Sequence, residues 1–260
     1  MSTAYDPWAR EGRSPGRAAP ARPAAEPAAR LVEDARVARY RFALTHVVGR
    51  KVVDIGCRDG SGTAMLAAAG ARDVVGMDAP EPSFAEAGRR VVLPNLRFEP
   101  VTGETLPVAD RWADVAICLD VLDQIARPEV LVREMRRVLL PGGTVIVSIA
   151  SRRQAAGGVL GRLHRQPGAP AGMSDGELRA LLEPCFGRLQ LFGQSYRRAA
   201  SPSFELLRSQ QRATPLRLLS QSLFSALTTP PLDEQAHEGW VFTPGDTATA
   251  VSLLAVAVAE

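Results

Sequence analysis

Short apolar runs alternate with helix-like stretches along residues 51–150, and this alternation constrains the fold more than any other feature. The runs are brief and rich in β-branched residues, which is typical of strands buried on both faces. They lie at 51–56, 73–78, 95–100, 113–119 and 144–150. Strand–helix–strand units of this spacing are right-handed and build a parallel sheet covered on both faces. The sequence therefore predicts an α/β domain.

Helical spacing of apolar residues predicts the elements around these strands. The predicted helices are 31–48, 63–70, 82–91 and 128–139. After residue 150 the alternation weakens, and the later elements are a helix over 174–186, a strand over 188–194, a helical stretch over 203–227 and a last strand over 247–258. Ser174 and Glu177 have the spacing of a capping box at the start of the helix at 174.

Composition places most of the chain in one domain. The first 30 residues are rich in Ala, Pro and Arg and hold few large apolar groups, so we expect a disordered tail there. Residues 31–260 then form one domain of ordinary size. The formal charge is 31 − 28 = +3. Five arginines and three acids of the tail account for +2 of it, so the body is nearly neutral and carries no nucleic-acid signature.

The cysteines and the apolar runs indicate the compartment. Cys57, Cys118 and Cys185 are far apart and form no CxxC pair, so we expect buried thiols rather than a disulfide framework or a metal site. The longest uncharged apolar run, 250–259, is too short for a bilayer, which takes about 20 residues. The N-terminus lacks the apolar core of a signal peptide. We therefore expect a cytoplasmic protein, monomeric or homodimeric, without a membrane partner.

The segment VVDIGCRDGSG at 52–62 is the strongest chemical motif. A glycine-rich turn after a strand lets the backbone approach a ligand, and the next helix points its first amides at that ligand. Asp78 ends the second strand, 22 residues after Gly56, where a carboxylate can accept hydrogen bonds from two ribose hydroxyls. The motif predicts a nucleoside-containing cofactor. Arg58 stands where a GxGxxG dinucleotide motif needs glycine, which disfavours a nicotinamide oxidoreductase.

The DxGxxxG pattern of this loop resembles the first motif of class I S-adenosylmethionine-dependent methyltransferases. Three later segments resemble further motifs of that family in the same order: ETLPVADRWADVAICLDVLDQI, REMRRVLLPGGTVIVS and GMSDGELRALLEPCF followed by RLQLFGQ. The likeness covers about 31–195 and 240–260. It implies a Rossmann-like, doubly wound, mostly parallel sheet of seven strands with an antiparallel last strand. It also implies S-adenosyl-L-methionine as cofactor, with 151–172 and 195–240 as a substrate-side loop and helical cap.

The resemblance assigns cofactor roles by position. The positions expected to bind the cofactor are Asp54, Gly56, Cys57, Gly60, Met77, Asp78, Ala79, Thr102, Leu106 and Leu119. The two glycines let the backbone approach the methionine part, Asp54 orients the loop or bonds the amino group, and Asp78 binds the ribose. Met77 and Ala79 flank the adenine, Leu106 adds to that contact, and Leu119 lies next to the methyl group.

The substrate is expected to be a small molecule such as a sugar, a lipid or a secondary metabolite, and oxygen is the favoured acceptor. An oxygen nucleophile usually needs a general base. The candidates are His164, His237 and Asp120, with Asp123 as a less favoured acid better explained by solvent or capping. Arginines at 151–165 and 195–217 suggest an acidic substrate, with Arg152 and Arg153 as contacts; an ordinary solvated arginine surface explains them as well.

Three positions depart from the family pattern. Arg58 replaces the central loop glycine, Thr102 replaces an adenine-binding Asp, and Gln124 replaces a frequent His. Neutral sequence change within an active site that still functions accounts for all three substitutions. They also leave open a second function, a non-catalytic S-adenosylmethionine-binding protein or a repurposed methyltransferase fold.

Overall fold

A computed structural model describes residues 27–152, 172–196 and 240–260. The helices of these ranges are α1 (Pro27–Leu44), α2 (Ser61–Ala68), α3 (Pro82–Arg90), α4 (Pro128–Val138) and α5 (Asp175–Leu182). The strands are β1 (Lys51–Ile55), β2 (Asp73–Asp78), β3 (Leu96–Pro100), β4 (Ala113–Leu119), β5 (Leu139–Ala150), β6 (Gly187–Tyr196), β7 (Trp240–Pro244) and β8 (Ser252–Val258).

The strands of the described ranges form one sheet in the order β3-β2-β1-β4-β5-β8-β6-β7. Strands β1 to β5 pair in parallel, whereas β8 is antiparallel to both β5 and β6. The predicted Rossmann-like α/β class, with its mostly parallel sheet and antiparallel last strand, is confirmed. The chain leaves β1 toward β2 and leaves β4 toward β5, so the strand order reverses between β1 and β4.

Within the described residues the sheet has eight strands rather than the predicted seven, because WVFTP at 240–244 forms β7 on the outer side of β6. This run is only five residues long, and its pairing partner lies about 50 residues away in sequence, so local pattern gives no warning of it. Strand β8 begins at Ser252 instead of 247, since a turn with Gly245 at φ +72° precedes it. The capping box at Ser174 and Glu177 is confirmed: the Glu177 amide donates to Ser174 Oγ, and Glu177 Oε2 accepts from the Ser174 amide.

Helix α1 begins at Pro27, inside the segment predicted as a tail, and overlaps it at 27–30. The rest of that tail, 1–26, lies outside the described residues, as do 153–171 and 197–239 of the predicted substrate-side cap. At about 1.5 Å per residue α1 is about 27 Å long, whereas the five residues of β1 span about 16 Å. The start of α1 therefore reaches past the carboxyl edge of the sheet.

Two apolar layers cover the faces of the sheet, because neighbouring residues of each strand point to opposite sides. Val52 and Ile117 pack with α1 and α2, while Val53 and Cys118 pack with α4 and α5. On the first face α1 and α2 contribute Tyr40, Ala43, Val47, Leu66 and Ala67. On the second, α4 and α5 contribute Leu131, Val132, Met135, Leu178 and Leu182. This two-sided burial explains the continuous apolar runs of the sequence.

Candidate functional site

The carboxyl ends of β1 and β4 form the centre of the candidate site. These strands are neighbours at the point where the strand order reverses, and in open α/β sheets that point leaves a crevice for a ligand. The loop after β1 borders the crevice on one side. The loop after β4, from Asp120 to Gln124, borders it on the other side.

The loop after β1 turns sharply and then enters α2. Gly56 has φ +79° and Gly60 has φ +74°, in the left-handed region that suits glycine. The amides of Gly56 and Cys57 both donate to the Met77 carbonyl, at 2.7 and 3.1 Å, which ties the loop to the end of β2. The turn leads into α2, whose first amide, that of Ser61, donates to Asp59 Oδ1 at 3.3 Å.

Both loop glycines are also required by packing against their neighbours. A Cβ at Gly56 would lie 2.2 Å from Val121 Cγ2, so the loops after β1 and β4 touch at this point. A Cβ at Gly60 would lie 2.6 Å from the Phe98 ring. The glycines therefore permit a close approach of protein to protein, besides the approach to a ligand that the sequence predicts.

Asp78 stands at the end of β2 with its carboxylate held by backbone amides. The Arg58 amide donates to Oδ2 at 2.7 Å and the Ala79 amide donates to Oδ1 at 2.8 Å. Arg58 has φ +55°, a conformation that glycine adopts without cost, and its side chain is exposed. The arginine thus keeps the turn that the family builds with glycine, and its amide orients the predicted ribose acid.

Asp54 is fully buried under the loop. Its carboxylate accepts hydrogen bonds from Thr63 Oγ1 at 2.7 Å and from the Tyr40 hydroxyl at 3.1 Å. Burial raises the pKa of Asp54 to about 6, although the bonds from Thr63 and Tyr40 act to lower it. Of the two roles predicted for Asp54, this environment supports loop orientation, because the carboxylate faces α1 and α2.

Some of the other predicted cofactor positions are buried, and others are accessible to solvent. Met77 and Leu106 are buried among the core residues of the α4 face, and Cys57 is fully buried as well. Burial raises the pKa of the Cys57 thiol, so it stays protonated. Ala79 is half-buried and Thr102 is exposed, so these two are the open groups at the predicted adenine end. Leu119 is buried on the α1 face. None of these contacts with a cofactor is tested, and they stay predictions.

Two charged residues of α4 hold the turn that contains Leu106. Glu134 Oε2 accepts from the Leu106 amide at 2.8 Å, while Arg137 donates to the carbonyls of Leu106 and Val108 at 3.0 and 2.9 Å. Arg137 also pairs with Glu134 at 2.7 Å, and these carboxylate contacts raise the Arg137 pKa. Sequence reasoning missed this clamp, because α4 lies more than 25 residues from the turn.

Helix α1 contributes Arg36, a second residue that sequence reasoning missed. Its guanidinium is nearly buried and donates to Ser61 Oγ at 2.8 Å, at the first residue of α2. Glu33 pairs with it on α1, and Asp59 lies 3.7 Å away. Arg36 is therefore a cation beside the first amides of α2. No local motif marks it, since helical periodicity alone leaves its partner undefined.

A buried ion pair closes the other side of the crevice. Asp120, with φ +57°, accepts from Arg39 Nη2 and from Ser148 Oγ, the latter at 3.0 Å. Arg39 is fully buried in α1 and also donates to Gln194 Oε1 and Ser252 Oγ at 2.8 and 3.2 Å. This one guanidinium therefore joins α1 to the ends of β4, β6 and β8. Sequence reasoning assigned Arg39 no role.

Asp123 lies in the same loop as Asp120 and has a different environment. Its Oδ2 accepts from the Ala150 amide at 3.2 Å, at the end of β5. Its Oδ1 is buried and has no hydrogen-bond partner among the residues that the structure describes. Burial, together with the negative charge of Asp120, raises the pKa of Asp123 to about 6. The sequence-based interpretation of Asp123 as a solvated or capping acid does not fit this position.

The predicted substrate residues are placed only in part. Arg153, His164 and His237 lie outside the described residues. Arg152 pairs with Glu177 at 2.7 Å and donates to the Gly172 carbonyl at 3.2 Å, so its guanidinium holds the chain after β5 against the start of α5. Arg152 stays a candidate substrate contact, which requires the substrate to displace Glu177 from the guanidinium.

The rest of the described surface holds two clefts and no candidate metal site. Two clefts, of about 350 and 720 Å³, lie at the amino edge of the sheet, on the side away from the loops after β1 and β4. Within the described ranges, no group of three or more His, Cys, Asp or Glu side chains could hold a metal ion. No helix there is long and apolar enough to cross a membrane.

The residues around the crevice fit a nucleoside cofactor with a charged amino-acid end. The two positive-φ glycines form a tight turn after β1, and the Asp78 carboxylate is oriented beside it at the end of β2. At the start of α2, Arg36 is paired with Glu33, and the Ser61 amide donates to Asp59 Oδ1 at 3.3 Å, so a ligand carboxylate there competes with these two acids. Together they can hold a ribose at one end of the crevice and an amino-acid group at the other.

Comparison with known proteins also indicates a methyltransferase domain. Residues 53–147 match the family model described as a methyltransferase domain. The chain is 34% identical over 119 residues to a ubiquinone biosynthesis O-methyltransferase of Methylococcus capsulatus, covering 44% of this chain and 50% of that protein. It is 33% identical over 113 residues to a probable S-adenosylmethionine-dependent methyltransferase of Mycolicibacterium smegmatis, covering 44% and 43%. The chain thus spans half or less of the length of these curated relatives.

Solved structures share the fold at low sequence identity. A methyltransferase of Thermotoga maritima, described as a possible histamine N-methyltransferase, has a TM-score of 0.59 at 18% identity and covers 89% of this chain and 94% of its own. The [4+2]-cyclase SpnF has a TM-score of 0.55 at 18% identity, covering 100% and 87%. Because a methyltransferase and a [4+2]-cyclase share this fold, the fold does not by itself decide the reaction.

Proposed function

We propose that this protein transfers the methyl group of S-adenosylmethionine to an oxygen atom of a small molecule, and the match of residues 53–147 to a methyltransferase-domain model supports the proposal. The observation that carries the proposal is the oriented Asp78 carboxylate beside the glycine turn of Gly56 and Gly60. A carboxylate at this place can accept hydrogen bonds from both ribose hydroxyls. The curated relatives named as O-methyltransferases support oxygen as the acceptor.

When bound, S-adenosylmethionine supplies an activated methyl group on a sulfonium. The residues of this chain then mainly align the reactants, and alignment alone lowers a barrier by several kcal/mol. Asp78 would hold the ribose, and Ala79 and Thr102 would border the adenine. The first turn of α2 would border the amino-acid end of the cofactor. These contacts direct the methyl end toward the loop after β4.

The loop after β4 is where the acceptor would bind. Leu119 and Asp120 end that strand, and Val121 packs directly on the Gly56 turn. Asp120 is committed to Arg39 and Ser148, so its part in the reaction is to shape the site. His164 and His237 stay candidate bases, and Arg152 and Arg153 stay candidate contacts to an acidic acceptor.

The first test is binding of the cofactor and its product. Isothermal calorimetry is expected to show that the protein binds S-adenosylmethionine and S-adenosylhomocysteine. Asp78→Asn should weaken both by about a hundredfold, because a neutral amide cannot replace a charged acceptor shared by two hydroxyls. Asp73→Asn, at the other end of β2 and paired with Arg97, is the matched control and should bind normally. Absence of binding to either compound by the wild type would contradict the proposed function.

The clamp of α4 gives a second prediction. Arg137→Ala is expected to weaken S-adenosylmethionine binding by about tenfold, because the turn with Leu106 loses its two carbonyl contacts. Arg133→Ala on the exposed side of α4 removes an arginine without such contacts among the described residues and should leave the affinity unchanged. Isothermal calorimetry at a fixed salt concentration measures the affinity of both variants for S-adenosylmethionine. Equal affinities for the two variants would show that the turn needs no clamp.

A protein that binds the cofactor without turning it over is the alternative, since Arg58 and Thr102 depart from the family pattern. A methyl-transfer screen with radiolabelled S-adenosylmethionine against phenols, catechols, sugars and lipids separates the two functions. Binding in calorimetry with no labelled product in the screen supports the alternative. A labelled product also identifies the acceptor class.

A further inference from the structure

The carboxylates around the crevice differ in how many of their oxygens are already engaged. Asp54 accepts from Tyr40 and Thr63, and Asp120 accepts from Arg39 and Ser148. Asp78 is held by two backbone amides. Asp123 alone among these four has an oxygen, Oδ1, that is buried and without a hydrogen-bond partner in the described parts of the chain.

An unpartnered buried carboxylate oxygen is costly, so a site that keeps one is suited to a donor that arrives with the ligand. Asp123 is partly covered as a residue, but Oδ1 itself is buried, so an acceptor hydroxyl reaches it only by displacing the groups that cover it. Its other oxygen is fixed by the Ala150 amide, which sets the direction of the carboxylate at the end of β5. A hydroxyl is a donor that fits Oδ1.

The position of Asp123 relative to the cofactor loop follows from the contact of Val121 with Gly56. Two residues before Asp123, Val121 Cγ2 occupies the space that a Cβ of Gly56 would need. The loop after β4 is therefore held between the turn of the cofactor loop and the end of β5. Asp123 lies on the β5 side of this loop, where the Ala150 amide donates to its Oδ2.

We propose that Asp123 is the general base of the reaction: it accepts the hydrogen bond of the acceptor hydroxyl at Oδ1 and then takes its proton. This inference rests on the proposed function. The O–H bond breaks as its proton moves to Asp123, the acceptor oxygen forms a bond to the methyl carbon, and the carbon–sulfur bond breaks with its electron pair on sulfur. The products are a methyl ether, neutral S-adenosylhomocysteine and a protonated Asp123. Water takes the proton in the next cycle.

The charges near Asp123 suit this role. Asp120 and the Cys118 thiol lie on the same strand and loop, and the Arg39 guanidinium reaches the site from α1. Beyond Ala150, Arg152 is paired with Glu177. Burial and the Asp120 charge raise the pKa of Asp123 to about 6, so the carboxylate is ionised at neutral pH and is more basic than an exposed aspartate. Because Asp120 stays paired with Arg39, it does not compete for the substrate proton.

The test uses catechol as the hydroxyl probe, with the protein saturated with S-adenosylhomocysteine for binding and with S-adenosylmethionine for turnover. We expect the wild type to bind catechol about tenfold more tightly at pH 7.5 than at pH 5, because the ionised carboxylate accepts a stronger hydrogen bond. Asp123→Asn should lose this pH dependence and lower the methylation rate by about a hundredfold. Its affinity for S-adenosylhomocysteine reports that the variant is folded.

Two further variants separate a base from a structural acid. Asp120→Asn removes a negative charge from the neighbourhood of Asp123, so the pKa of Asp123 falls and the pH dependence of catechol binding moves to lower pH. Asp73→Asn at the amino edge should leave binding and pH dependence unchanged. The proposal is overturned if S-adenosylhomocysteine binds but catechol does not. It is equally overturned if Asp123→Asn keeps the wild-type rate and pH profile. Failure of the proposed function appears separately, as loss of S-adenosylhomocysteine binding by the wild type.

Discussion

Replacing Gly56 with alanine is expected to abolish cofactor binding and to destabilise the fold by about 3 kcal/mol or more. The added methyl group would lie 2.2 Å from Val121 Cγ2, and the backbone at φ +79° disfavours any side chain. This steric clash is relieved only if the loops after β1 and β4 move apart. These two loops border the crevice, so the variant loses the site and the packing together. Urea unfolding measures the stability, and calorimetry with S-adenosylhomocysteine measures binding.

Gly142→Ala is the matched control for this prediction. Gly142 has φ +78°, almost the value of Gly56, but a Cβ there would meet no atom within 4 Å. The control variant is therefore destabilised only by the unfavourable backbone conformation, by about 1–2 kcal/mol, and its crevice stays intact. We expect Gly142→Ala to bind S-adenosylhomocysteine like the wild type. If the two variants lose the same stability and both bind, the contact between Gly56 and Val121 has no role in shaping the site.

Replacing Arg39 with methionine is expected to destabilise the protein by about 2–3 kcal/mol, because Arg39 is fully buried while its partner Asp120 is partly exposed and keeps its bond from Ser148. The substitution preserves most of the apolar volume but leaves the charges of Asp120 and the polar groups of Gln194 and Ser252 without their donor. Because Arg39 joins α1 to three strands, we also expect α1 to exchange its amide hydrogens faster. Denaturant unfolding and hydrogen exchange are the measurements.

Arg41→Met is the control, since Arg41 is exposed on the same helix, and its effect should stay within about 0.5 kcal/mol. The double variant Arg39→Met with Asp120→Asn should recover part of the lost stability, because it no longer buries an unpaired charge. A loss for Arg39→Met no larger than that for Arg41→Met would contradict the structural role of the ion pair. It would also remove the reason for excluding Asp120 as a base.

The cofactor half of the site was the most predictable from sequence. Gly56, Gly60 and Asp78 lie within 22 residues of one another on a strand, turn and helix whose geometry local pattern specifies. The turn geometry and the place of Asp78 match the expectation. The reason why the glycines are needed was only half predicted, because Val121 and Phe98 come from loops and strands distant in sequence.

The acceptor half of the site was less predictable. Asp120 and Asp123 are three residues apart and look alike in the sequence, and the sequence favoured Asp120 as the reactive acid. Their difference arises from Arg39, which lies about 80 residues earlier in the chain, and from Ala150, which lies 27 residues after Asp123. Strand β7 was missed for a similar reason: its only signal is its pairing with β6.

The sequence by itself determined the α/β alternation, the parallel pairing of the first five strands and the location of the cofactor loop. These properties depend on apolar periodicity and on residues near one another in the chain, where each position acts through its own backbone preference. Only the tertiary structure decided which carboxylates are paired and which buried carboxylate oxygen has no hydrogen-bond partner among the described residues. Burial and pairing depend on groups that folding brings together from distant elements, and these groups set the charge state and the chemistry of each acid.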